Sequence, residues 1–63
     1  MKFTVDERVR LPANKKEGWG EEFGTVEAYE GGSMYIVRVD QKFRHQGDDG
    51  IRELHVSRMW KVD

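Results

Sequence analysis

Two histidines, His45 and His55, stand ten residues apart, and Asp48 and Asp49 follow the first closely enough for one loop to offer ligands to a cation. That spacing matches neither the paired ligands of zinc sites nor the alternating oxygens of a calcium loop. It reads instead as a surface histidine in a polar loop and a second beside a helical turn. Glu21 and Glu22 are adjacent, so on a strand they face opposite sides and cannot share an acid–base task. Ser33 and Ser57 have no evident base beside them, and Gly31-Gly32 suits a turn better than a phosphate cradle. With no catalytic constellation, we expect no enzymatic activity, no cofactor and no metal.

The aromatic residues carry more. Phe3, Phe23, Tyr29 and Tyr35 fall on or next to candidate strands, where packing accounts for them. Trp19 and Phe43 sit in two long polar loops, and Trp60 follows Met59 where only one of the pair can point inward. Loops carry function on a rigid scaffold and aromatic anchors dominate binding surfaces, so Trp19, Phe43 and Trp60 are expected to cluster at one end of the domain. Arg44, Arg52 and Arg58 complete the candidate binding set. Basic residues thicken toward the C-terminus: residues 32–63 carry +1 and residues 1–31 carry −2. With aromatics interleaved, a surface that stacks bases and contacts phosphates is the alternative. A cage for a methylated lysine would need two or three of Trp19, Phe23, Tyr29 and Tyr35 to converge around an acidic residue.

The elements that position these residues must come from a short chain. It has 63 residues, 37% apolar and 37% charged, with a net charge of −1. A chain of this size buries only about 60% of the surface its unfolded form exposes, so one small domain over residues 1–63 is expected. There is no cysteine, hence no disulfide framework or thiolate zinc site, and a cytoplasmic protein is the expectation. The longest apolar run, Met34 to Val37, is far short of the roughly 20 residues a membrane helix needs. No signal peptide is recognisable and a soluble protein is expected. The near-neutral charge argues against a dedicated phosphate-backbone binder while allowing a local patch.

Val5, Val9 and Leu11 alternate partly with charged residues and predict a first strand ended by Pro12. Ala13 to Glu22 is polar and glycine-punctuated, a long loop. Phe23 to Glu30 alternates again, Gly31-Gly32 predicts a tight primed turn, and Met34 to Asp40 returns with Tyr35, Val37 and Val39 on the buried face. Ile36 then needs cover or adds to an apolar patch. Gln41 to Gly50 reads as a mobile loop, Ile51 to His55 as a short strand, Val56 to Met59 as a single 3₁₀ turn, and Trp60 to Val62 as a last strand. The pattern is all-β: a five-stranded antiparallel barrel with one short 3₁₀ turn before the last strand.

That order resembles an SH3-like barrel. Val5-x-x-x-Val9-x-Leu11, Trp19 before Gly24-Thr25-Val26, Tyr35-x-Val37-x-Val39 and His55-Val56-x-x-Met59-x-x-Val62 are similar to a group comprising the stromal accessory subunit of photosystem I, type II dihydrofolate reductase and the nitrile hydratase β subunit. Likeness to the photosystem subunit implies docking within a larger assembly. Likeness to the reductase implies a tetramer whose central pore is lined by a Val-Gln-Ile-Tyr stretch, but Arg52-Glu53-Leu54-His55 stands there and matches none of the four. The expected function is therefore a small non-catalytic protein-interaction module. A nucleic-acid-binding barrel is the alternative, and a reductase-like oligomeric enzyme is third. The expected partner is a protein. Self-association would cover Met34 and Ile36.

Overall fold

The computed structural model describes residues 2–62; Met1 and Asp63, the ends of the expected 1–63 domain, lie outside the described residues. Five strands, β1 (Arg8–Leu11), β2 (Glu22–Gly31), β3 (Met34–Val39), β4 (Ile51–His55) and β5 (Trp60–Lys61), form one antiparallel sheet in the order β4-β3-β2-β1-β5. This architecture is consistent with an SH3-like fold. It corrects the expectation of a closed barrel: β4 and β5 are the sheet's two edges and share no ladder. The two-residue β5, arriving straight from a 3₁₀ turn at Val56–Arg58, pairs only with β1, so the sheet stays open.

Alternation decides which side chains meet. Val9 and Leu11 of β1, Val26 of β2 and Tyr35, Val37 and Val39 of β3 point inward, and Phe3 and Met59 close the core they form. Phe43, Leu54 and Val56 pack against its rim. The ten-residue β2 spans the whole sheet, and two register shifts, between Val26 and Ala28 and between Tyr29 and Gly31, increase its twist and curl the sheet around the core. At Gly24 the backbone of β3 comes so close that an added Cβ would sit 2.5 Å from the Arg38 carbonyl oxygen and 2.9 Å from a Val37 methyl. Only glycine fits there.

Several boundaries differ from expectation. The first strand starts at Arg8 because Asp6 takes φ 75° in a turn, leaving Val5 exposed. Glu22 belongs to β2 and is buried. The hairpin turn lies one residue later than the two glycines: Gly32 and Ser33, at φ 58° and 67°, are its central residues, and Gly31 pairs with Met34. Positive φ at both central positions is what a type I′ turn demands. Besides the expected 3₁₀ turn, Lys15–Glu17 and Gln41–Phe43 form two more, so both long loops are structured. The Gln41–Gly50 segment, expected to be mobile, is pinned at several points. Asp40 donates its backbone N–H to Phe23, the Arg44 Nε donates to the Val39 carbonyl at 2.9 Å, and Asp48 and Asp49 accept from the backbone N–H groups of Gly50 and Ile51.

Candidate binding pocket

Arg52 organises one end of the inner face. It stands on β4 with Leu54, both pointing inward, and its side chain is 7% exposed. Both terminal nitrogens donate to Asp48, Nη1 to Oδ1 at 2.9 Å and Nη2 to Oδ2 at 2.6 Å, a bidentate fork. Nη2 also lies 3.6 Å from the Glu22 carboxylate. The guanidinium stacks on Trp19, its central carbon 4.6 Å from the ring centroid. The Arg52 Nε is buried without a hydrogen-bond partner.

Each partner is placed by its own local chemistry. Asp48 accepts the Gly50 backbone N–H at 2.8 Å in an Asx turn, which aims its carboxylate back at β4. Arg52's hydrogen bonds, aided by that backbone N–H, hold the Asp48 carboxyl far below the usual carboxylate range, and Asp48 in turn raises Arg52. Glu22 follows Gly24 and Val26 in the inward set of β2, opposite Leu11 of β1. Trp19 is set by a miniature hairpin: Asn14 caps the Lys15–Glu17 turn by accepting from the Glu17 N–H, Gly18 ends it at φ 74°, and Asn14 and Trp19 exchange backbone hydrogen bonds of 2.8 and 2.9 Å.

Beside this cluster opens a cavity of about 250 Å³. Leu11, Pro12, Leu54 and Trp19 supply its apolar walls, and Glu22 lines it with a carboxylate; Glu17 and Arg58, both exposed, also border it. That volume lies below the roughly 300–1,000 Å³ of sites for drug-sized ligands and suits a single side chain.

The six residues singled out in the sequence therefore separate. Trp19 and Arg58 line the cavity and Arg52 stacks behind Trp19. Phe43 and Trp60 lie with the outer face: Phe43 packs 6.0 Å from Phe23, Phe23 is opposite Arg10, and Arg10 is opposite Trp60, with its guanidinium 4.3 Å from the Trp60 ring. Arg44 joins neither group, held between the Val39 carbonyl and Gly50. Trp19, carried by the loop between β1 and β2, lines the cavity, whereas Phe43 packs on Phe23 and Trp60 on Arg10. Met59 points inward and Trp60 outward, 46% exposed.

Glu22 and Asp48 join the Arg52 cluster, and reasoning from residue types did not place them in the candidate site. The signal for Glu22 was its place in the inward period of β2; Asp48 stands four residues before Arg52. His55 stands beside the helical turn as expected, but Ser57 does have a base next to it: the His55 Nδ1 lies 2.9 Å from the Ser57 Oγ and accepts the Ser57 backbone N–H at 3.1 Å, capping the turn before β5. Of the four aromatics considered for a methyl-lysine cage, Tyr29 and Tyr35 meet at 4.9 Å in a tilted pair, and the second cavity they line with Lys2, Ser33 and Val56 has no acidic residue among the described residues. Among the described residues no three His, Cys, Asp or Glu side chains form a metal-binding group, and no helix is long and apolar enough to cross a membrane.

No family, curated protein or solved structure matches this chain. Fold and site define a small all-β domain with a structured loop pocket.

Proposed function

We propose that this domain is a small non-catalytic protein-interaction module that receives a side chain of its partner in the Trp19 pocket. The observation that carries this reading is the pocket itself: apolar walls, an aromatic plane and one buried carboxylate, set by β1, β2, β4 and the hydrogen-bonded Asn14–Trp19 loop. Such preorganisation lowers the entropy lost on binding. The outer ribbon of Phe43, Phe23, Arg10 and Trp60 offers a second contact area of the aromatic-and-arginine kind that interfaces favour. Against the nucleic-acid alternative stand Arg52, buried in ion pairs, and Arg44, whose Nε donates to a backbone carbonyl, while Arg58 and Trp60 are exposed.

Selection of a displayed random-peptide library on the folded domain tests the reading. Selected peptides should shift the Trp19 indole N–H resonance and lose at least tenfold in affinity with Trp19→Ala. Trp60→Ala should change affinity less. A labelled oligothymidine bound with an affinity that falls steeply with salt, and lost in Arg58→Ala, would instead establish the nucleic-acid reading.

A further inference from the structure

The charges around the pocket do not balance. Asp48 engages both terminal nitrogens of Arg52, so one carboxylate already matches the guanidinium. Glu22 is a second carboxylate, its side chain only 6% exposed, and its approach to Nη2 at 3.6 Å is too long for a hydrogen bond. The cluster sets two carboxylates, the buried Glu22 and the partly buried Asp48, against one guanidinium. Glu17 and Arg58, also on the cavity wall, offset each other and leave the pocket net negative. Arg52 is shared between the two carboxylates, and a cation entering the cavity would give Glu22 a counter-ion of its own.

We infer that the Trp19 pocket takes a cationic side chain, of the lysine or arginine type, from a protein partner, with Glu22 as its counter-ion; this rests on the interaction-module reading above. Size, shape and charge agree on this occupant. The methylene stem would lie against Leu11, Pro12, Leu54 and Trp19, which are apolar, while the charged head reaches Glu22. One face of the Trp19 ring is already stacked by Arg52, so the ring serves the newcomer as a wall and Glu22 provides the recognition. Arg58 acts against entry as a like charge at the border.

The test uses two probes that share the same four-carbon stem and differ by the terminal ammonium, N-acetyl-lysine methylamide and N-acetyl-norleucine methylamide, titrated into the labelled domain while the Trp19 indole and Leu54 amide resonances are followed. The lysine probe should bind saturably and at least fivefold more tightly than the norleucine probe. Glu22→Gln should bring the two within twofold, and Arg58→Ala, an exposed change that leaves the core intact, should strengthen the lysine probe about twofold. Equal binding of both probes at Trp19 would overturn the cationic occupant while leaving a peptide pocket in place. Selected peptides that map to Trp60 instead would overturn the pocket reading and this inference together. Should Glu22→Gln fail to fold, Arg58→Ala decides, since unchanged or weaker lysine binding in that variant refutes an electrostatic role for the pocket.

Discussion

Tyr35→Phe removes one oxygen atom and should destabilise this domain more than most surface changes would. The Tyr35 hydroxyl accepts two backbone N–H groups, from Lys2 at 2.9 Å and from Phe3 at 3.2 Å, and so ties the N-terminal segment across the open end of the sheet. Phe3 is 1% exposed and meets the Tyr35 ring edge-on at 5.6 Å. The variant keeps that ring contact and deletes only the acceptor. The Lys2 N–H can turn to water, a loss of about 1 kcal/mol, but the Phe3 N–H is buried and would be orphaned, which costs about 1–3 kcal/mol. The expected total is about 2–4 kcal/mol. A 63-residue domain is stable by about 3–9 kcal/mol, and each kcal/mol moves its melting point by about 4–8 °C, so Tm should fall by at least about 8 °C. Urea unfolding followed by tryptophan fluorescence would measure the loss, with the slope m unchanged. Tyr29→Phe, at a 41% exposed position, serves as control and should stay within about 0.5 kcal/mol of the parent. A loss below about 0.5 kcal/mol for Tyr35→Phe would refute the view that this hydroxyl anchors the N-terminal segment.

Gly24→Ala should cost about 3 kcal/mol by urea unfolding, because both atoms its methyl meets belong to β3, and one is backbone that cannot turn aside. Ser33→Gly should stabilise by about 0.5 kcal/mol in the same assay: glycine takes φ 67° without strain, partly offset by its freer unfolded chain. Stability should be steady between about pH 5 and 7 and fall as pH drops through 4 and below. Asp48, Asp40 and Glu7 all have folded pKa values depressed by hydrogen bonds from Arg52, Arg8 and Lys61 respectively. Their contributions are complete above the unfolded values near 4 and are lost as pH falls through the lower folded ones. Asp48→Asn should flatten the acid limb of the urea midpoint against pH; an unchanged limb would count against the pairing.

The sequence made the sheet legible where alternation was strong. Tyr35, Val37 and Val39 announce the inner face of β3, and Ile51 to His55 were bounded by turn signals that the chain obeys. It failed where one residue takes a conformation its type does not advertise. Asp6 at φ 75° ends the apparent first strand, and Ser33 at φ 67° moves the hairpin turn off the two glycines. The polar composition of Gln41 to Gly50 suggested motion, whereas Asx turns and the Arg44 hydrogen bond impose order that composition does not report. For the candidate site, Trp19 and Trp60 could be singled out from residue type. Their separation could not, because it depends on which strand positions face inward and on the cross-strand partners of Arg10.

The buried charges bear on function through what they do not do for stability. Among the described residues eight hydrophobic side chains form the buried core, yet Glu22 and Arg52 occupy inward positions that Leu or Met could fill. Replacing a buried ionic cluster by apolar groups of similar volume is often neutral or stabilising. The cluster is therefore a poor device for holding so small a core together, and the orphaned Arg52 Nε makes it poorer still. What it does supply is position. The fork from Asp48 fixes the guanidinium, the guanidinium fixes the plane of Trp19, and Trp19 with Glu22 shapes the cavity. An apolar replacement would preserve the sheet and remove the feature that distinguishes this pocket from a gap under a loop: a buried carboxylate on its wall.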